Sequence, residues 1–295
     1  FKMLRVGVIG CGGMGRDHIR RLTEKIQGAE VVAVSDVFEE SARKAAEICG
    51  AKVYADSKEL INAENVDAVF IVSPGFAHVD SLLQAIEAGK RIFCEKPLCT
   101  TAEDCLKVVK AEEAAGKHLI QLGFMRRYDK GYQQIKEALA TGEYGEPLIL
   151  HCTHRNPEVG TNYNTPMAVH DTAIHEIDVL HWLVDDEYES AQVVMPKVTK
   201  YSHSELKDPQ IMMLRTKKGV CIDVEVFVNC KFGYDINCEV VCEDGALKMA
   251  QPAYPSIRKN AAVSSAIDTD CFVRFKDAYD LSLIHISEPT RHAQI

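Results

Sequence analysis

The sequence predicts an α/β protein: an N-terminal doubly wound parallel sheet, then a C-terminal α+β domain with a mostly antiparallel open sheet. Three observations predict it. Short continuous apolar runs alternate with helical periodicities as far as residue 123, the βαβ rhythm of a parallel sheet covered on both faces. A glycine cluster, Gly10-Cys11-Gly12-Gly13-Met14-Gly15, sits where the first run ends, which is the dinucleotide-binding fingerprint of a Rossmann domain. After Pro147 the pattern changes to long alternating runs, expected of strands with one buried and one open face.

In chain order, Leu4–Ile9 reads as a buried strand and Met14–Ile26 as a helix. Glu30–Ser35 and Glu39–Cys49 repeat the unit, followed by a brief strand at Val53-Tyr54 and a short helix over Ser57–Asn62 capped by Ser57. Val66–Val72, rich in Val, Ile, Phe and Ala, is the next strand; Val79–Ala88 is a helix closed by Gly89, and Arg91–Cys94 a strand. Thr101–Ala115 is a helix ending at Gly116, and His118–Gly123 completes the sheet. Asp129–Thr141 is a helix joining the halves. The later strands are Leu148–Arg155, Gln192–Thr199, Gln210–Thr216, Val220–Asn229, Tyr234–Val241 and Ala246–Met249. Lys217-Lys218-Gly219 and Glu243-Asp244-Gly245 mark turns between them.

These boundaries give a first domain over residues 1–123 and a second over 124–280. The roles of NAD binding for the first and of substrate binding and oligomerisation for the second are expectations that rest on the fingerprint and on the family resemblance given below. The stretch Leu281-Ser-Leu-Ile-His-Ile-Ser-Glu-Pro-Thr-Arg291 resembles a translated sequencing-library adaptor. Residues 281–295 are therefore set apart as non-native, His285 and His292 with them, and the native chain is expected to continue past Asp280.

The 295 residues suffice for two ordinary domains, and 46% hydrophobic content supports a sizeable core. A net charge of -9, from 43 acidic and 34 basic residues, argues against nucleic acid or an anionic membrane as partner. No apolar run approaches the ~20 residues of a membrane span, and no secretory signal precedes the first strand. The 11 cysteines are scattered, without a CxxC pair, which suggests reduced thiols in a cytoplasmic protein and no metal site.

The fingerprint has its full context. Gly10 permits a tight turn, Gly12 lets the backbone approach a pyrophosphate, and Gly15 allows close helix–strand packing. The N–H groups of the helix opening at Gly13 and Met14 face the phosphates. Asp36 ends the second strand about 20 residues on, as the motif requires. It is expected to accept hydrogen bonds from the adenosine ribose, and could equally enter the following helix as a cap. Val37, Phe38 and Glu39 follow, with no Arg or Lys to offset a 2′-phosphate, so the cofactor expected is NAD rather than NADP.

Two further features carry chemistry. If Asp171-Thr-Ala-Ile-His175-Glu-Ile-Asp178 is α-helical, Asp171, His175 and Asp178 share one face at i, i+4 and i+7. Ile177, Leu180, Leu183 and Val184 then form the packed face. Glu95-Lys96-Pro97 follows the strand Arg91–Cys94 directly, at the carboxyl edge where ligands of such sheets bind. A lysine there can stabilise an alkoxide as a hydride leaves.

With GCGGMG, EKP and the D-x-x-x-H helix, the chain resembles the Gfo/Idh/MocA oxidoreductase family. Further motifs point to its inositol branch: Phe93-Cys-Glu-Lys-Pro-Leu98, Gly123-Phe-Met-Arg-Arg-Tyr-Asp129, His151-Cys-Thr-His-Arg-Asn-Pro157, His175-Glu-Ile-Asp-Val-Leu-His-Trp182, Asp208-Pro-Gln210 and Val228-Asn-Cys-Lys-Phe-Gly-Tyr-Asp235. The resemblance runs from about residue 4 to Asp280.

The resemblance implies NAD-dependent oxidation of myo-inositol to a 2-keto-inositol by a catalytic trio, Lys96, Asp171 and His175. His175 would be the general base, Asp171 its partner or a substrate holder, and Lys96 the cation on the reacting oxygen, with no metal. It implies nicotinamide-side contacts at Ser73, Pro74 and His78, cofactor contacts at Glu95 and Lys96, and a homotetramer. It also implies a substrate pocket of Arg126, His154, Asn156, Asp171, His175, Asp178 and Tyr234, groups suited to a ring of hydroxyls. The Ser-Pro-Gly-Phe loop at residue 73 departs from common family forms. Off the assumed stripe by one residue, His170 yields to His175 as the base. Other substrates remain open, among them scyllo-inositol, another polyol or glucose, as do hydrolysis with transient NAD oxidation and a non-catalytic NAD-binding regulator.

Overall fold

The computed structural model describes residues 3–250 and 254–287. The chain divides into two compact units: residues 1–124 with 279–295, and residues 125–278.

In the first unit, β1 (Leu4–Ile9), β2 (Ala29–Ser35), β3 (Lys52–Val53), β4 (Ala68–Ile71), β5 (Arg91–Cys94) and β6 (Ile120–Leu122) form one parallel sheet in the order β3-β2-β1-β4-β5-β6. This is the doubly wound arrangement, whose strand order reverses between β1 and β4 and opens a crevice there. Because both faces are covered, the strands read as continuous apolar runs rather than alternating ones. One face packs Val6, Val8 and Phe70 against Ile19 and Leu22 of α1 (Gly13–Glu24) and Ala42 and Ala45 of α2 (Glu39–Cys49). The other packs Val69, Ile71 and Ile92 against Leu60 and Ile61 of α3 (Ser57–Asn62), Leu82 of α4 (His78–Glu87) and Val108 of α5 (Ala102–Ala115). The cap of α3 is Asp56, not Ser57: the Asp56 side chain accepts from Glu59 N–H, which a carboxylate one residue earlier does well. Gly116, left-handed at φ 65°, ends α5 as expected.

Residues 281–287, set apart above, continue α9 (Lys276–Ser287). Leu283 and Ile286 are buried in the first unit's core, and Gln121 donates to Ser282 O at 2.7 Å. Residues 288–295, including His292, lie outside the described residues.

The second unit holds α6 (Lys130–Ala140), capped by Asp129, and six strands: β7 (Pro147–Arg155), β8 (Tyr188–Val194), β9 (Gln210–Thr216), β10 (Cys221–Phe227), β11 (Asp235–Cys242) and β12 (Ala246–Lys248). Their order is β12-β11-β7-β10-β9-β8, antiparallel except for the β7–β10 pair. Alternate residues such as Leu150, Cys152, His154, Val224, Val226, Ile236 and Cys238 are buried; the intervening face is open. The Gln192–Thr199 expectation was displaced: β8 ends at Val194, because Pro196 has no N–H to continue the ladder. An exposed hairpin of β13 (Ser256–Lys259) and β14 (Ala262–Ser265) precedes the single turn of α8 (Cys271–Arg274). The eleven cysteines are free thiols, seven of them buried and only Cys221 exposed. No helix among the described residues is long and apolar enough to cross a membrane.

Candidate active site

In the first unit, the fingerprint glycines occupy distinct positions for distinct reasons. Gly10 has φ 94°, and a Cβ there would stand 2.4 Å from Ser73 N, so the β1 and β4 loops meet at backbone distance. A Cβ on Gly15 would lie 2.0 Å from Gly10 O, so α1 approaches β1 only because the side chain is absent. At Gly12 and Gly13 a Cβ would meet nothing within 4 Å. These two leave open space over the start of α1, whose Gly12 cap offers no side-chain bond. That is the cradle a pyrophosphate requires. Met14 follows, half-buried in the first turn.

Asp36 is half-buried at the end of β2; its Oδ2 accepts from Cys11 N at 2.7 Å and its Oδ1 from Phe38 N at 2.9 Å. The carboxylate thus fixes the glycine loop and the entry to α2, whose own cap, Phe38, makes no side-chain bond. Beyond it, Val37 and Phe38 are exposed, and no cation stands beside the carboxylate in sequence. The residues fit NAD.

The loop after β4 is tied down at its base. His78 is fully buried, with Nε2 2.6 Å from Ser73 O and Nδ1 2.9 Å from Pro97 O. One ring nitrogen faces each loop, with Cys94 Sγ also 3.4 Å from Nδ1, so His78 serves the site by joining the Ser73 and Pro97 loops. A Cβ on Gly75 would press on the Pro97 ring at 2.9 Å. Pro74 is exposed, while the Ser73 hydroxyl is buried without a hydrogen-bond partner among the described residues, a donor suited to a cofactor amide. Lys96 is half-buried, its N–H donates to Glu95 Oε2 at 3.2 Å, and the Lys96-Pro97 bond is cis.

In the second unit, the segment carrying Asp171 departs from the α-helix assumed for it. Ala168–Ala173 is π-helical, and α7 (Ile174–Val184) begins only after it. An i→i+5 turn shifts phase, so the simple i, i+4, i+7 stripe is corrected. Asp171 Oδ1 lies 2.6 Å from His170 Nδ1, with the His170 side chain 43% exposed. His175 is buried instead, so burial, rather than helical phase, separates the two histidines. The packed face of α7 is also redrawn: Glu176, Val179, Leu180 and Leu183 are buried, while Ile177 and Val184 are only half-buried.

The structure brings four expected residues together. His154 of β7 has its ring 6.3 Å from that of His175 and 6.0 Å from that of Tyr234. Arg126, 1% exposed, ion-pairs with Glu176 of α7, whose Oε2 is 2.8 Å from His154 Nδ1. Arg126 Nη2 also stands 3.1 Å from His154 Nδ1. A guanidinium only donates, so the shorter carboxylate contact makes Nδ1 the donor to Glu176.

Burial pushes the Glu176 carboxyl up, but Arg126 and His154 outweigh it and hold it below the usual carboxylate value. Burial likewise raises the Tyr234 phenol, keeping it a hydrogen-bond donor. Asp178 forms a two-toothed pair with Arg127; burial still leaves its carboxyl above the ordinary value. Asn156 anchors its loop by backbone bonds, accepting from Cys230 N at 3.0 Å.

Glu176 and Arg127 are the members that sequence reading passed over. Glu176 shares the phase of Leu180 and Leu183 on α7, and an acid on an apolar face is itself a signal. A cavity of about 930 Å³ in this unit lies on the open side of the sheet, against His151, Asp223, Glu225 and Lys248. It is lined by residues that alternate with His154, and Tyr234 borders it.

Residues 4–124 match the model of an oxidoreductase family with an NAD-binding Rossmann fold, and residues 132–248 that of the GFO/IDH/MocA C-terminal domain. The chain is 51% identical over 292 residues to the inositol 2-dehydrogenase/D-chiro-inositol 3-dehydrogenase of Halalkalibacterium halodurans, covering 98% of this chain and 84% of the relative. It is 53% identical over 282 residues to the inositol 2-dehydrogenase of Pseudomonas syringae, covering 95% and 84%. Among solved structures, the myo-inositol dehydrogenase of Lactobacillus casei in complex with NAD(H) and myo-inositol superposes with a TM-score of 0.94 at 44% identity, over 96% of this chain and 85% of that one.

Proposed function

The chain belongs to the Gfo/Idh/MocA oxidoreductase family, and on that premise we propose that it is an NAD-dependent inositol 2-dehydrogenase, oxidising myo-inositol to its 2-keto product. The observation that carries this reading is the likeness, along almost the whole chain, to inositol 2-dehydrogenases. Residues 1–123 bind NAD and 124–280 bind substrate.

NAD, when bound, supplies the hydride acceptor. The protein's own groups handle the proton and the charge. His175 takes the hydroxyl proton as general base. Asp171 stabilises the imidazolium or holds the substrate. The Lys96 ammonium stabilises the oxygen as it becomes anionic. Asn156, Asp178, His154 and the Tyr234 hydroxyl read the ring of hydroxyls, with Arg126 and Glu176 fixing the His154 tautomer. Gly12, Gly13, Met14 and Asp36 hold the cofactor, and Ser73, Pro74, Glu95 and Lys96 border its nicotinamide end, joined through His78.

Incubating the protein with NAD and a panel of inositols and glucose, while following NADH absorbance, tests the proposal. Myo-inositol is expected to be the best substrate; a large preference for glucose would overturn the assignment, and no net NADH would favour a regulator or a hydrolase. The double name of the Halalkalibacterium relative favours D-chiro-inositol as a second substrate.

The protein acts as a homotetramer in the cytoplasm. The open sheet face, which exposes Ile149, Val194 and Met213, supports assembly, and its many free thiols suit a reducing compartment.

A further inference from the structure

We propose that His18 is a positioning residue for Lys96, acting through Glu95; the inference rests on the role given to Lys96 above. His18 lies on α1, three residues beyond Gly15, on the helix that opens at the pyrophosphate cradle. Its side chain is wholly buried, and Nε2 lies 2.7 Å from Glu95 Oε1. The other carboxylate oxygen, Oε2, accepts the Lys96 N–H. A single buried carboxylate therefore joins the cofactor helix to the backbone of Lys96.

The geometry leaves that carboxylate little freedom. A Cβ on Gly123 would stand 3.2 Å from Glu95 Cδ and 3.1 Å from the Phe93 ring, so β6 closes one side. The His18 ring is held edge-on by Phe93, Phe70 and Tyr279, with centroids 5.3, 6.4 and 6.2 Å away. His18 Nδ1 is buried and has no hydrogen-bond partner among the described residues. A carboxylate oxygen accepts, so the contact to Glu95 is made by Nε2–H as the donor. A leucine would fill this aromatic pocket without the desolvation that a buried histidine and carboxylate incur. What histidine adds is that one hydrogen bond. Without it, Glu95 Oε1 loses its anchor and the carboxylate is free to turn about the Oε2 contact to Lys96 N–H. That turn moves the start of the Lys96 loop.

The test uses the full chain and three variants. His18→Leu keeps the packing and deletes the donor. His18→Gln places an amide nitrogen near the position of Nε2, and His18→Asn has the amide but falls short of Glu95. In His18→Leu, kcat is expected to fall at least tenfold, with the Kd for NAD within threefold of the parent. His18→Gln should recover to within threefold, and Glu95→Gln combined with His18→Leu should add no further loss. Equal kcat in the Leu and Gln variants, or a loss confined to NAD affinity, overturns the proposal. Should His18→Leu fail to fold, equal kcat in the Asn and Gln variants does the same.

A readout without turnover separates this from the reading it rests on. The rate at which Lys96 reacts with trinitrobenzenesulfonate, mapped by peptide mass, should change severalfold in the Leu or Asn variant and return in Gln. That pattern in a protein that oxidises no inositol would sink the dehydrogenase reading and leave His18 in its place. An unchanged rate beside normal turnover would remove His18 instead.

Discussion

Asp36 spends both carboxylate oxygens on the backbone, one on Cys11 and one on Phe38, so its substitution acts on the fold as well as on cofactor choice. Asp36→Ala strands two N–H groups. It should lower stability by about 1–3 kcal/mol and weaken NAD binding, measured by thermal melting and by titration of protein fluorescence. An unchanged melting temperature would refute the loop-fixing role.

Glu176 gives a pH signature. Its carboxyl is held below the ordinary value by Arg126 and His154 against the opposing effect of burial. A carboxyl with a depressed folded pKa contributes stability above its unfolded value of about 4.3, and loses it as pH falls through the folded one. The parent should therefore lose stability more steeply below about pH 4 than Glu176→Gln does. Parallel slopes in acid denaturation would count against the pair. At neutral pH, Glu176→Gln leaves Arg126 buried without its counter-charge and should cost about 3–5 kcal/mol. At this scale motif and position single out Asp36, Lys96 and His175 in the sequence, and the structure puts Asp36 on the glycine loop and buries His175. Glu176 was not singled out, since its partner Arg126 is fifty positions away and sequence spacing does not reveal such a pairing.

Helix α1 and its loop separate two kinds of glycine. Gly15→Ala would drive a Cβ into Gly10 O and should destabilise by about 1–3 kcal/mol or more, with loss of NAD binding. Gly12→Ala meets no protein atom; its melting temperature should stay near that of the parent while NAD affinity falls. Melting curves and NAD titrations of both variants check this, and a cold-sensitive or unfolded Gly12→Ala would contradict the open cradle.

The parallel strands were readable to within two residues at either end, since a sheet buried on both faces writes itself as unbroken apolar runs. The second sheet was readable where one face is buried, as in β9 and β11, whose inward residues alternate with outward ones. It was misplaced at β8, an edge strand exposed along nearly its whole length, where burial imprints no pattern. The π-helical turn at Ala168–Ala173 was invisible because a widened turn uses the same residue types as an α-helix.

Across the whole molecule, the chain returns from residue 279 onward to the unit in which it began, carrying Leu283 and Ile286 into that core. Leu283→Ala should cost about 2–5 kcal/mol, and limited proteolysis should then cut the first unit sooner. An unaffected melting temperature would mean that this helix adds nothing to the core. Sedimentation across a concentration series tests the tetramer, with a persistent monomer as the contrary result.

The thiols give the protein a chemical clock. Cys221 alone is exposed, Cys49, Cys105 and Cys271 are half-covered, and the other seven are buried; burial pushes the Cys11 and Cys99 thiols up to about 12. At neutral pH an alkylating label should consume one site at once and the buried seven only as the polypeptide breathes. Cys11, Cys94 and Cys99 time the first unit, while Cys152, Cys230, Cys238 and Cys242 time the second. The order in which the peptides acquire mass would then rank the two units by local opening, with no probe engineered into either.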